Sequence, residues 1–214
     1  MNSKNNLAGK KKPKKNLAEI YGESKEQTNA VIEEKDTKKN NATTNAETED
    51  EITKEKIYLV YILHRVVYET LLLCKKADPN EAIGVLLGYK YQYEDQKYVK
   101  VVDWVTGKAY QSHAFAEFTP DGVRQYTSII EEKYGDSENR PKIVGIFHSH
   151  PFGSNPHFSA TDYNTFLNFP YDTENNVFVL IDPRSNYYKS YIVVIDEKGM
   201  KDLKEVDWVE YNPK

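Results

Sequence analysis

Ile143-Val144-Gly145-Ile146-Phe147-His148-Ser149-His150-Pro151 is the stretch on which the reading of this chain turns. Ile143 to Phe147 is an apolar run after Pro141, the pattern of a buried strand. Side chains at i and i+2 of a strand share a face. His148 and His150 are therefore expected to project together where the chain leaves the core. Pro151 has no N–H to donate and stops the ladder. Two imidazoles side by side at a strand end are half of a metal site.

Working outward, Ser159-Ala160-Thr161-Asp162 leads into Tyr163 to Phe169. Phe166, Leu167 and Phe169 suggest one face of a short helix that Pro170 ends. Serine followed three residues later by an acid is also an N-cap with an acidic N3 residue. Spacing alone serves capping and ligation equally, and a carboxylate in the first turn of a helix can do both. The histidine pair tips the balance toward ligation. Two imidazoles and one carboxylate make a three-ligand zinc site with an open fourth position. Zinc polarises a carbonyl and brings the pKa of bound water toward neutrality. Hydrolysis then needs a base that is not itself a ligand. The H-E-x-x-H helix that supplies one locally is absent. Glu81 is the best candidate: it is the only charge in Asn80-Glu81-Ala82-Ile83-Gly84-Val85-Leu86-Leu87-Gly88. On its own it reads better as a solvated residue after the turn residues Asp78-Pro79-Asn80.

Glu81-Ala82-x-Gly84-x-Leu86-x-Gly88, then His148-x-His150, then Ser159-x-x-Asp162, resembles the JAMM (MPN+) metallopeptidase family, from about Ile57 to about Val209. The resemblance implies a cytidine-deaminase-like α/β (α+β) fold. It also implies hydrolysis of isopeptide or peptide bonds next to ubiquitin-like modifiers. His148, His150 and Asp162 would hold zinc, Glu81 would activate the zinc-bound water and shuttle its proton, and Ser159 would hydrogen-bond the oxyanion. Pro151 fits the same pattern. The loop from Pro151 to Phe158 is one residue longer than the family's usual spacing, and it contains His157, a competing donor. Ile83 stands where the family often has cysteine. The short span from Asp162 to Val177 leaves no room for the zinc-bearing insertion by which some members select one ubiquitin linkage. Broader substrates, ubiquitin-like or sulfur-carrier conjugates or precursors, are therefore expected.

Composition narrows the alternatives. The chain has 214 residues, a formal net charge of −4, 39% hydrophobic residues and one cysteine. That suffices for one domain with a core, plus a tail. A lone cysteine excludes internal disulfides and Cys-rich zinc knuckles. It also argues against zinc deaminases, which need Cys-x-x-Cys beside H-x-E. Cys74, in Leu71-Leu72-Leu73-Cys74, reads as packing. No apolar run is long enough for a membrane span. The lysine-containing N-terminus has no apolar core of a secretory signal, so a cytoplasmic location is expected.

Residues 1–54 are rich in Lys, Asn, Glu and Thr, and are expected to be a disordered tail preceding a domain over 55–214. Lys10, Lys11, Lys12, Lys14 and Lys15 form a basic cluster. Without interleaved aromatics it reads as a solvating segment rather than a nucleic-acid patch. In the domain, Ile57 to Val60 suggests a strand, and Leu63, Val66, Val67, Thr70, Leu71 and Cys74 recur at helical spacing up to Asp78-Pro79. Strands are expected over Glu81–Tyr89 and Lys97–Val105, with Val99, Val101 and Val105 on one face, and a looser one within Gly107–Phe118. Thr119-Pro120-Asp121 opens a helix to about Tyr134. Val177–Ile181 and Tyr187–Ile195 read as further strands, and Lys204–Val209 as a last edge strand. Two or three helices around a mixed sheet make an α/β or α+β domain. His64 reads as a surface residue, and His113 as a plain surface or core residue rather than the lining of a substrate groove. Tyr89, Tyr91 and Tyr93 alternate along one strand, as on an exposed sheet face. A non-catalytic MPN scaffold is the competing reading. Such relatives typically lack the metal ligands, whereas all four polar positions are present here.

Overall fold

The computed structural model describes residues 58–213 apart from 136, 155 and 169. The tail expected over 1–54 lies outside the described residues. In chain order the elements are β1 (Tyr58–Leu63), α1 (His64–Ala77), β2 (Ile83–Tyr93), β3 (Gln96–Val105), β4 (Ala109–Ser112), β5 (Phe115–Phe118), α2 (Pro120–Tyr134), β6 (Lys142–Ser149), α3 (Ala160–Phe166), β7 (Val177–Asp182), β8 (Tyr187–Ile195), β9 (Lys201–Val206) and β10 (Trp208–Tyr211). Eight strands form one mixed sheet in the order β10-β1-β3-β2-β6-β7-β8-β9, and β4–β5 is a separate hairpin. The architecture is the mixed α/β domain expected, with three helices about one large sheet.

Local chemistry explains the helices. Val66, Thr70 and Cys74, four residues apart, are the buried stripe of α1. Val66 and Cys74 pack among Val60, Ile62, Val99, Val101, Phe147 and Val179 in one apolar cluster. Thr119 caps α2, its hydroxyl accepting from the Gly122 N–H at 2.9 Å with Pro120 in the first turn. A second cluster, on the other face of the sheet, joins Ile83, Val85, Leu87 and Ile146 to Ala116 and Phe118 of the hairpin, Ile130 of α2 and Phe166 of α3. None of the helices is long and apolar enough to cross a membrane among the described residues.

Three strand expectations change. Val105 does not share a face with Val99 and Val101, because Leu87 pairs with Asp103 while Gly88 pairs with Val101. The unpaired Val102 is a β-bulge, which reverses the alternation and sends Val105 into the second cluster. The looser strand within Gly107–Phe118 is the β4–β5 hairpin. The single edge strand expected over Lys204–Val209 is two strands on opposite edges: β9 pairs with β8, and β10 pairs in parallel with β1. Only Asp207 separates them, so the two edges of the sheet must meet there. Its carbonyl accepts from Val60 N–H at 3.3 Å. A second bulge opposite β2 supplies further curl: Leu86 pairs with Gly145 and Leu87 with Ile143, leaving Val144 unpaired. Bulges bend the bulged strand and increase local twist.

Asp103 ties this bulged region to both neighbouring helices. Only 2% exposed, it accepts from Arg65 Nη2 of α1 at 2.8 Å and from Lys133 Nζ and Tyr134 OH of α2. Burial alone would raise its pKa, but these donors outweigh it and hold the carboxyl at about 2. A carboxyl depressed by folding stabilises above its unfolded pKa, and that stabilisation is lost as pH falls through the folded value. The Asp103 contribution is thus expected to be complete above about pH 4 and to vanish toward pH 2. At roughly 1.4 kcal/mol per unit it amounts to about 2 kcal/mol. Urea unfolding of wild type and Asp103→Asn across that window should give curves that converge at low pH; a constant gap would refute the linkage.

Candidate metal centre

β6 delivers both histidines to one side of the sheet. Ile83 pairs with His148 at the end of the β2–β6 ladder. His150, just past the strand, is fixed by its N–H bond to Ile181 O of β7 at 2.9 Å. The two rings lie 5.0 Å apart between centroids, at 79°. Both are buried, on the face that carries Ile146 and Phe166. The ring of Phe166 from α3 packs edge-on against His148 at 6.3 Å.

Glu81 is not in the strand where the apolar run placed it. It precedes β2 by two residues and is 2% exposed rather than solvated. Its N–H donates to Ser112 O of β4 at 2.7 Å. Its carboxylate faces the histidines, with Oε2 2.9 Å from His148 Nε2 and Oε1 3.7 Å from His150 Nε2. Glu81, His148 and His150 are the residues that could hold a metal ion as one tight group among the described residues.

Asp162 approaches the same imidazoles from α3, with Oδ2 3.3 Å from His150 Nε2 and Oδ1 3.7 Å from His148 Nε2. It also caps its helix. Ser159 Oγ accepts from Asp162 N–H at 3.1 Å, Asp162 Oδ2 accepts from Ser159 N–H at 2.9 Å, and the Ser159 hydroxyl donates to the same Oδ2 at 2.6 Å. The capping geometry and the approach to the histidines therefore coexist. α3 ends at Phe166 with Leu167 as C-cap, short of the Pro170 stop expected. Burial would raise the Asp162 carboxyl, but His150, Ser159 and His148 outweigh it and hold it well below the usual carboxylate range.

Both ring nitrogens of His148 are buried without a hydrogen-bond partner, Nε2 included despite the nearby Glu81 oxygen. Buried polar atoms are almost always satisfied, and leaving one unpaired is costly. Two imidazoles between two carboxylates are a donor set suited to a divalent cation of zinc type. Ligation through Nε2 would satisfy one of the orphaned atoms. The residues present fit such an ion.

The other histidines stay apart. His157 is exposed, as is His113 in the turn after β4. His64 pairs with Glu210 on the surface. Cys74 is fully buried, and burial pushes its thiol up to about 12 against a hydrogen bond from Ser149. That is the packing role expected of it. Sequence reasoning missed Phe152, an exposed ring 5.3 Å from the His150 ring. Its position two residues past His150 was the available signal.

The model of a family described as prokaryotic homologs of the JAB domain matches residues 63–183, more than half of the chain. The chain belongs to the JAB/MPN family. The match begins at the end of β1 and runs through β7, so it takes in Glu81, both histidines, Ser159 and Asp162. Among solved structures, the solution structure of protein DSY2949 from Desulfitobacterium hafniense is similar, with 21% sequence identity, a TM-score of 0.44, and coverage of 72% of this chain and 94% of that one. No curated protein matches the chain. Within the JAB/MPN domain, the distant glutamate just before β2 and the His-x-His pair at the end of β6 converge.

Proposed function

We propose that this JAB/MPN domain, over residues 55–214, is a cytoplasmic zinc-dependent metallopeptidase. It would hydrolyse isopeptide or peptide bonds at ubiquitin-like or sulfur-carrier modifiers. The observation that carries the reading is the pair of partnerless ring nitrogens on buried His148, set between two carboxylates. His148, His150 and Asp162 would hold the ion. When bound, zinc supplies Lewis acidity at the scissile carbonyl and lowers the pKa of water. Glu81 takes a proton from the attacking water and returns it to the leaving amine, a two-way transfer suited to a buried carboxylate at the histidines' side. The Ser159 hydroxyl donates to the developing oxyanion. To do so it turns from Asp162 Oδ2, its present acceptor.

The second reading is a non-catalytic scaffold. One observation favours it: the capping box already occupies both Ser159 and Asp162. Metal analysis of the purified chain, paired with cleavage of a ubiquitin-like fusion, separates the two. The peptidase binds one zinc per chain, loses it in His148→Ala, and releases the fusion partner after its terminal glycine. A folded chain that takes up no zinc would leave the scaffold standing.

A further inference from the structure

Glu81 lies outside the ladder, and something must hold it against the histidines. Ser149 is placed to do so. It stands between His148 and His150, so its side chain points to the opposite face of β6, toward α1. It is fully buried. Its Oγ accepts from the Ala82 N–H at 2.7 Å, and its own N–H donates to Ala82 O at 2.9 Å. Both peptide groups of the residue after Glu81 are thus gripped by the residue between the histidines. The grip extends the β2–β6 pairing past its last register pair, Ile83–His148.

We infer that Ser149 is a positioning residue for Glu81: its hydroxyl, held against the Ala82 N–H, sets where the Glu81 carboxylate stands relative to the imidazoles. This rests on the metallopeptidase reading for its catalytic consequence, but not for its geometry. Removing the hydroxyl leaves the Ala82 N–H buried and unpaired. The loss of one such bond corresponds to about tenfold or more in local opening. Carboxylates that orient a site from behind act through geometry rather than contact with substrate, and a hydroxyl does the same here.

The test uses the full chain. In wild type the Ala82 amide should exchange with solvent as slowly as the core amides of Val179 and Leu180. In Ser149→Ala it should exchange at least about tenfold faster while Val179 and Leu180 are unchanged, and Ser149→Thr, which keeps the oxygen, should restore protection. In the cleavage assay Ser149→Ala should lower kcat by about tenfold with KM and zinc content unchanged, and Ser149→Thr should recover it. A rapidly exchanging Ala82 in wild type, or unchanged exchange in Ser149→Ala, overturns the clamp. Loosened Ala82 with undiminished kcat overturns the positioning role. A wild type that cleaves nothing counts against the peptidase alone, since the exchange data still decide the clamp.

Discussion

Glu81→Gln is expected to lower fusion cleavage by about 10²–10⁴-fold, the range in which a positioned general base contributes. Zinc content should stay at the wild-type level, because His148, His150 and Asp162 remain. The substitution keeps the shape of a side chain that is 2% exposed, so the fold should survive. What it removes is the ability to accept a proton between the two imidazoles. Single-turnover rates for wild type and variant, with zinc measured on the same samples, decide the matter. Undiminished cleavage in Glu81→Gln would sink the proposed mechanism. A loss of zinc together with activity would instead make Glu81 a ligand, a role its 2.9 Å approach to His148 leaves open to it.

The other large expected effect concerns stability. Gly145 lies in β6 directly beside the second bulge, and a Cβ there would stand 1.7 Å from Val177 O and 2.7 Å from Val177 C. Both atoms are backbone of β7, paired with Gly145 in register, and cannot swing aside as a side chain would. Gly145→Ala must therefore pry β7 from β6 along the strand that carries the histidines. Overpacking of a well-filled site costs roughly 1–3 kcal/mol and sometimes more. The upper end is expected here, because the contact is shorter than any relaxed one and lies at the centre of the sheet. Thermal melting should show a fall of about 10 °C. A Tm within about 2 °C of wild type would mean that the strands separate at little cost. Ala at Gly135 is a useful contrast, since nothing lies within 4 Å of a Cβ there and the strain comes from its φ of +54° alone.

Much of this fold is legible in the chain because its signals are local. The stripe Val66, Thr70 and Cys74 specifies α1, and Thr119-Pro120 marks the first turn of α2. The apolar runs Ile143–Phe147 and Val177–Ile181 are strands because nothing polar interrupts them. What escaped detection is set by distant partners. Val102 and Val144 have ordinary strand character, and only the register with β2 makes each of them a bulge. The run Lys204–Val209 has one composition, yet the chain crosses from one sheet edge to the other at Asp207. Glu81 follows turn residues and looks solvated; its burial comes from β4 and β6, which local pattern does not reveal. At Ser159 and Asp162 the capping reading holds, and the same carboxylate that closes the capping box also faces the histidines.

The closure of the sheet at Asp207 also has a temporal side. β1 is the first strand of the domain to leave the ribosome, and its parallel partner β10 is the last. Pairings between such distant segments carry the largest loop-closure cost and form late. Until Trp208–Tyr211 emerges, one flank of β1 presents unpaired backbone groups, the kind of edge that invites pairing with other chains. The nascent domain can bring Glu81, His148, His150 and Asp162 together on one face, from the start of β2, the end of β6 and α3, well before that moment. The seam is sealed only once β10 has emerged to pair with β1.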